Sequence, residues 1–192
     1  MASWSKVKQQ LESFLCPELV GRVEYRATSY RYAHDKAGRC YITVDKKEVF
    51  QMSDLKYDIR WYQTEQEIIK DQAFHISITE EEVEEFLGRK EAKNIPKDRI
   101  AVILQRGKAS EVAKKILNQQ GIMAKSDFFD TANIFLTSPV DASLQSDNIL
   151  LNILAIVDRR VGKSRLRKME QQIQLKHPIV QYFYSLRCNM KK

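Results

Sequence analysis

The clearest pattern in the chain is an alternation of apolar and polar residues from Gly21 to Ser53, which predicts a β-meander. On the first strand, Val23, Tyr25 and Ala27 share one face, and the residues between them are charged or polar. A polar loop leads to a second strand, and a third, shorter strand follows over 48–50. The inward row of the second strand consists of Cys40, Ile42 and Val44. Because three strands with one apolar face need a cover, we expect flanking helices to pack on that face.

The segments on either side of the meander carry helical or ambiguous patterns. Residues 3–15 have apolar side chains near one face and predict an amphipathic N-terminal helix. Segment 54–75 could be a helix or begin with a strand. Its apolar residues have a spacing that permits a helix, but apolar and polar residues also alternate over 56–62, as in a strand. We favour a fourth strand over 56–62 and a helix from Thr64 onward.

From residue 79 on, caps and glycines predict short helices in close succession. Thr79 has the spacing of a capping box with Glu82, and Gly107 is expected to separate helices over 96–105 and 110–119. The most apolar segment follows at 149–157, and its small polar face predicts a buried helix.

Three further borders follow from the same signals. We expect Ser146 or Asp147 to cap the buried helix and Gly162 to mark its end. Beyond it, 164–174 predicts one amphipathic helix, and a last helix follows His177 and Pro178.

The predicted fold class is therefore α+β: an N-terminal helix on a three- or four-stranded antiparallel β-meander, followed by a mainly α-helical C-terminal half. No linker rich in proline, glycine or serine divides the chain. We expect a single domain over 1–192, with a helix-plus-meander portion at 1–75 and a helical portion at 76–192.

The composition is that of a soluble globular protein, with 43% hydrophobic and 30% charged residues. No apolar run approaches the roughly 20 residues that a membrane-spanning helix needs, and the N-terminus has no signal-peptide core. Cys16, Cys40 and Cys188 are widely spaced and form no metal-like pair. We therefore expect reduced thiols in a cytoplasmic protein.

The positive charge is concentrated at the C-terminal end. The whole chain carries a net +7, whereas 158–192 has ten basic and two acidic residues, a net +8 that leaves −1 for the rest. The predicted polyanion-binding residues in this segment are Arg159, Arg160, Lys163, Arg165, Arg167 and Lys168. Arg160, Lys163 and Arg167 share a face if the helix continues through Gly162. The competing interpretation is structural, with Asp158 pairing one of the arginines and the rest solvating the surface.

Several chemistries find no support in the chain. Gly162-Lys163-Ser164 ends like a phosphate-binding loop, but the glycine that this loop needs five residues earlier is Val157. His34, His75 and His177 have no partner at the spacing of a metal or nucleophile site. We therefore predict no metal and no cofactor.

Two other surfaces on the meander remain as alternatives. On the first surface, tyrosines alternate with arginines, which is a pattern known from proteins that bind single-stranded nucleic acid. Such tyrosines are more often core residues. The other is a set of carboxylates at Glu24, Asp45 and Glu48, which a metal-dependent hydrolase or nuclease could use.

Three stretches carry a resemblance: GRVEY, ITVDKKEVF and DRRVGKSRL. With them the chain resembles a family of uncharacterised bacterial proteins of similar length, over nearly its whole extent. The resemblance implies a single cytoplasmic α+β unit. It implies no activity and assigns no functional residue.

Localised charge without a catalytic constellation favours a non-enzymatic binding or interaction protein. Its expected partner is nucleic acid, bound without reading sequence, or an acidic protein. The metal-dependent hydrolase is the alternative function, and the sequence predicts no oligomeric state.

Overall fold

The computed structural model describes residues 3–33, 36–71, 76–89 and 95–189, and its elements follow the predicted order of helix, meander and helices. The predicted fold class is confirmed, with three strands in the sheet. His34 and His75 lie outside the described residues. The elements are α1 Trp4–Ser13, β1 Val23–Ser29, β2 Gly38–Val44, β3 Lys47–Ser53, α2 Asp54–Lys70, α3 Glu80–Leu87, α4 Lys97–Gln119, α5 Lys125–Thr137, α6 Val140–Gln145, α7 Ile149–Val157, α8 Lys163–Lys168, α9 Glu170–Gln174 and α10 Pro178–Cys188.

The chain divides into two compact units, one of which is built from two separate pieces of sequence. The first unit comprises Met1–Tyr57 and Asn118–Lys192, and the second comprises Asp58–Leu117. The single domain expected from the sequence stays a prediction.

The sheet of the first unit is antiparallel in the order β1-β2-β3. Val23 and Tyr25 are buried on its inner face, as predicted, and so is the whole predicted row on β2. The β2–β3 turn places Asp45 and Lys46 in the left-handed region, at φ 49° and 66°. Two consecutive left-handed residues are typical of tight hairpin turns whose twist matches that of the strands.

Helix α7 forms the centre of this unit, and all of its residues are buried, as predicted. Its N-cap is Asn148, whose Oδ1 accepts a hydrogen bond from the Leu151 N–H at 3.0 Å. The prediction of Ser146 or Asp147 was therefore wrong, although the Ser146 hydroxyl accepts the N–H of Asn148 at 3.0 Å. Because two or three neighbouring residues can all cap, the sequence places a cap only to within a residue or two.

The single polar side chain inside α7 forms hydrogen bonds to the end of α6. The amide nitrogen of Asn152 donates to the carbonyl oxygens of Ser143 at 2.8 Å, Leu144 at 3.3 Å and Ser146 at 2.9 Å. These carbonyls belong to the C-terminal end of α6, where the helix leaves its last acceptors without intrahelical partners. Asn152 thus donates to two buried acceptors and to the half-buried Ser146 carbonyl, which also accepts from the Lys176 Nζ at 2.7 Å.

Asp54 connects the sheet to α5 across a long stretch of sequence. Its Oδ2 accepts the Gly38 N–H and its Oδ1 accepts the Lys125 N–H, both at 2.8 Å. The N-cap residue of α5, Ala124, has no side chain that could accept these bonds. The Asp54 carboxylate, from another element, therefore takes the place of an N-cap side chain, and its negative charge interacts favourably with the dipole of α5.

The second unit contains the clearest departures from the sequence-based predictions. The fourth strand predicted over 56–62 was wrong, because these residues belong to α2. Helix α4 is continuous through Gly107, which was expected to break it. Gly107 is exposed with open space around it, so its cost of about 1 kcal/mol relative to alanine is tolerated within a helix of 23 residues. Ile68, Ala109 and Ala113 form the buried cluster of this unit.

Two predictions around α7 also need correction. Gly162 does not end α7, which ends at Val157; it is the N-cap residue of α8. The single helix predicted over 164–174 is two short helices, α8 and α9, that meet at Met169. The apolar spacing continues across the junction, and so the pattern could not show the break.

The three cysteines are all described and are free thiols. Burial raises the pKa of the Cys40 thiol to about 12 and also raises that of Cys16, whereas Cys188 is half-exposed in the last turn of α10. Since the thiolate is the reactive form, we expect one thiol per native chain to react with DTNB near neutral pH, and all three after unfolding. Cys188→Ser should leave no fast-reacting thiol. Rapid labelling of Cys40 in the native protein would contradict this burial.

Candidate polyanion-binding surface

The predicted surface begins at the C-terminal end of α7, where Asp158 is fixed by Arg160. The Asp158 side chain is 0% exposed, and its Oδ2 lies 2.7 Å from the terminal guanidinium nitrogen of Arg160. The Arg160 Nε donates to both carboxylate oxygens, at 3.1 and 3.0 Å, and the Arg160 backbone N–H donates to Oδ1 at 2.7 Å. The guanidinium also lies 4.1 Å above the Phe14 ring and 5.6 Å from the Phe135 ring. Arg160 is therefore a structural residue.

The backbone on both sides of Asp158 is attached to the end of α1. The Arg159 N–H donates to the Phe14 carbonyl at 2.8 Å, and the Cys16 N–H donates to the Val157 carbonyl at 2.9 Å. This short antiparallel bridge fixes the position of residue 159. The Arg159 side chain is exposed, with no carboxylate partner among the residues described.

Lys163 opens α8 and faces Glu18, a carboxylate shared with Arg187. The Lys163 Nζ lies 3.5 Å from one Glu18 oxygen, and Arg187 lies 3.3 Å from the other. A hydrogen bond from its own backbone N–H, with the charges of Arg187 and Lys163, holds the pKa of Glu18 below its usual value. Lys163 thus contributes to a local three-residue cluster.

Of the remaining cations of α8, one is paired with a carboxylate and two are exposed to solvent. Arg165 pairs with Asp141 at 2.6 Å, and its hydrogen bond lowers the pKa of that carboxyl. Arg167 and Lys168 are exposed in the last turn, where cations favour the helix dipole, and the described residues offer them no ion pair. Leu166, between Arg165 and Arg167, is fully buried and fixes which face of α8 is solvated.

The structure therefore splits the predicted set into two halves. Arg160, Lys163 and Arg165 each face a carboxylate, whereas Arg159, Arg167 and Lys168 do not within the described parts of the chain. The helix does not continue through Gly162, so the spacing of residues 160, 163 and 167 does not make a helix face. No local pattern in the sequence indicates that Glu18 and Asp141 lie next to α8.

Comparison with known proteins assigns a family. The model of the SF0329 protein family matches residues 3–188, which is nearly the whole chain. The chain belongs to the SF0329 protein family. Searches of curated proteins and of solved structures found no match. The resemblance to an uncharacterised family is confirmed, and the SF0329 assignment brings no activity with it.

The carboxylates proposed for a hydrolase in this SF0329 chain are paired with arginines. Glu24 bonds to Arg26, Asp45 lies 2.7 Å from Arg22, and Glu48 lies 3.1 Å from Arg39. The hydrogen bond from Arg22 lowers the pKa of Asp45, which is the direction opposite to that of a general acid. Within the described ranges no group of three His, Cys, Asp or Glu residues lies close enough to hold a metal ion.

The tyrosines of the meander lie in different environments. Tyr25 is buried in the core, the Tyr30 hydroxyl bonds to Ser53 at 2.8 Å, and the Tyr41 ring lies 4.6 Å below the Arg39 guanidinium. Tyr32 is 88% exposed in the loop after β1.

His177 caps α10, since its Nδ1 accepts the Ile179 N–H at 3.2 Å. None of the helices described is long and apolar enough to cross a membrane.

Proposed function

We propose that this protein is a non-enzymatic binding protein whose surface around α8 binds nucleic acid without reading its sequence. The observation that supports it is the presence of three exposed cations, Arg159, Arg167 and Lys168, without carboxylate partners in the described structure. They lie in a segment of net charge +8. A cytoplasmic location belongs to the same proposal, since the three free thiols stay reduced there.

The physical basis of this binding is the release of counterions from the phosphate backbone. A cation that already faces a carboxylate gains less from a phosphate, because it must give up or share its existing partner. We therefore count three phosphate contacts rather than six. Specificity should be low, because α8 has six residues and presents no Asn or Gln for bidentate base contacts.

The number of contacts can be measured as a salt dependence. For three contacts on duplex DNA, the slope of log K against log salt should be about −2.7 between about 50 and 200 mM salt. Replacing Arg167 and Lys168 by glutamine removes two contacts, and so the slope should fall to about −0.9. Fluorescence anisotropy of a labelled duplex, with a second series on labelled single-stranded RNA, measures both quantities.

A matched control is available on the same helix. The double variant Asp141→Asn/Arg165→Gln removes a paired cation together with its carboxylate, so the net charge stays the same. Its salt slope should equal that of the parent. Absence of binding by the parent at about 50 mM salt would end the proposal. Binding that the Arg167→Gln/Lys168→Gln variant leaves unchanged would exclude α8 as the binding surface.

A further inference from the structure

A shallow cleft of about 400 Å³ lies between α10 and the residue that precedes β1. Its volume falls within the range of about 300–1,000 Å³ that is typical of small-ligand sites. The residues that line it are Arg22, Tyr182, Ser185, Leu186 and Asn189. The last four have the spacing i, i+3, i+4 and i+7, so α10 and its C-cap Asn189 present them as one face. We name these five residues the α10 cleft.

Tyr182 gives the α10 cleft an aromatic surface. The residue is 41% exposed, and its ring lies edge-to-face with the Phe183 ring, at a centroid distance of 5.4 Å. Because Phe183 is fully buried, this contact limits the orientations that the Tyr182 ring can adopt. The ring is therefore held in place while part of it stays open to solvent.

Arg22 supplies a second planar group, and its orientation is fixed by Asp45. The Arg22 Nε and Nη2 donate to the two carboxylate oxygens of Asp45, at 2.8 and 2.7 Å. Such bidentate bonding holds a guanidinium in one plane. It also raises the pKa of Arg22, and Tyr182 contributes to the same shift because the two side chains are close. The remaining nitrogen, Nη1, has no partner among the residues described.

The other polar groups of the α10 cleft are not used by the fold. In the part of the chain that the structure describes, the Ser185 hydroxyl and the Asn189 side-chain amide have no hydrogen-bond partner. The amide offers two donors and an acceptor. Leu186 is half-buried and adds an apolar contact. The α10 cleft thus combines an aromatic ring, a planar cation, an apolar wall and an unused amide.

We propose that the α10 cleft binds a nucleobase, carried either by a free nucleotide or by an unpaired position of a single strand. Bases stack on aromatic rings and on guanidinium planes, and their edges hold both donors and acceptors. Tyr182 and Arg22 provide the two planar surfaces, and the Asn189 amide pairs with donors or acceptors on the base edge. Every base has a π-face, so this stacking requires no sequence preference.

The α10 cleft shares no residue with the predicted polyanion-binding set. Stacking and edge contacts bind the base, whereas the cations around α8 bind phosphate. The inference is therefore independent of phosphate binding at α8, and either one can fail without the other.

Saturation-transfer NMR of the full chain with AMP, CMP, GMP and UMP tests the site. Saturation should reach the base protons more strongly than the ribose protons, with a dissociation constant on the order of 1 mM for so open a cleft. Ribose 5-phosphate, which has no base, is the control and should show no transfer. Absence of transfer to the base protons of all these nucleotides would overturn the proposal.

Substitutions at Tyr182 test the stacking surface. Tyr182→Ala should weaken nucleotide binding by about tenfold or more, whereas Tyr182→Phe keeps the ring and should bind like the parent. Tyr32→Ala makes the same change at an 88% exposed tyrosine outside the α10 cleft and should leave binding unchanged. Unchanged affinity in Tyr182→Ala, with the circular dichroism spectrum of the parent, would contradict the proposal.

Fluorescence anisotropy separates the two sources of the base. If the base belongs to a strand, labelled single-stranded RNA should bind more tightly than the matching duplex, and Tyr182→Ala should abolish this difference. Arg167→Gln/Lys168→Gln should weaken both and preserve the difference. Equal affinities for the two RNAs, with nucleotide binding intact, would assign the α10 cleft to free nucleotides. A single-strand preference that survives Tyr182→Ala would place the bound base elsewhere, and the proposal would be wrong.

Discussion

Replacing Asp158 by alanine should lower the free energy of unfolding by about 3 kcal/mol. The Asp158 side chain is completely buried and accepts hydrogen bonds from the backbone and the guanidinium of Arg160. Without the carboxylate, Arg160 is left against Phe14 with no counter-charge. We place the cost at the low end of the range for broken buried pairs, because Arg160 is 38% exposed and water can replace part of the lost interaction.

Urea unfolding of the single and double variants measures this effect. Asp158→Ala/Arg160→Met removes both charges, and it should be more stable than Asp158→Ala because no unpaired cation remains. A loss of less than about 1 kcal/mol in Asp158→Ala would show that the pair is not structural. Arg160 would then return to the group of cations available for nucleic acid.

The isosteric substitution Asn152→Asp should destabilise the protein more than any other single change considered. It places a carboxylate where an amide nitrogen now donates to three carbonyl oxygens. Burial raises the pKa of a carboxyl by about 3 units or more, and each unit corresponds to about 1.4 kcal/mol. The Lys176 ammonium does not offset this in full, because it already donates to the Ser146 carbonyl at 2.7 Å. At neutral pH the expected loss is therefore about 4 kcal/mol or more, and part of the population should unfold.

The pH dependence of this variant has a definite sign. Because the pKa of the introduced carboxyl is higher in the folded state than its value of about 3.9 in the unfolded chain, the folded state binds the proton more tightly. Asn152→Asp should therefore be least destabilised below about pH 4 and should lose stability as the pH rises to the folded-state pKa. Asn152→Leu, which has no charge, is the control, and its difference from the parent should not vary with pH. A flat profile for Asn152→Asp would contradict the burial of this site.

The sequence predicted the elements whose periodicity is long or uniform. The meander and the buried α7 follow directly from alternation and from a run of apolar residues. The segment at 56–62 was misassigned because Tyr57, Ile59 and Trp61 alternate like a strand. In the helix, Trp61 packs against the buried cluster of the second unit, whereas Ile59 is exposed. A window of seven residues does not distinguish the two arrangements.

Which cations of the basic surface are paired with carboxylates could not be predicted in the same way. Asp158 is two residues from Arg160, and the sequence suggested that pairing as one of two interpretations. Glu18 and Asp141, in contrast, are distant in sequence from the cations that they face. Only the fold brings them together. A charge count along the chain therefore overstates the number of free cations.

The division of the first unit into two pieces of sequence has a consequence for synthesis on the ribosome. The meander is complete at Ser53, but α5, which packs on β2 and β3, begins at Lys125. The intervening unit, 58–117, is translated between them. At about 5–20 residues per second, those 60 residues take about 3–12 s. For that time the nascent sheet exposes an apolar face that only α1 has been made to cover, and this is the interval in which a chaperone such as a ribosome-associated holdase would bind it.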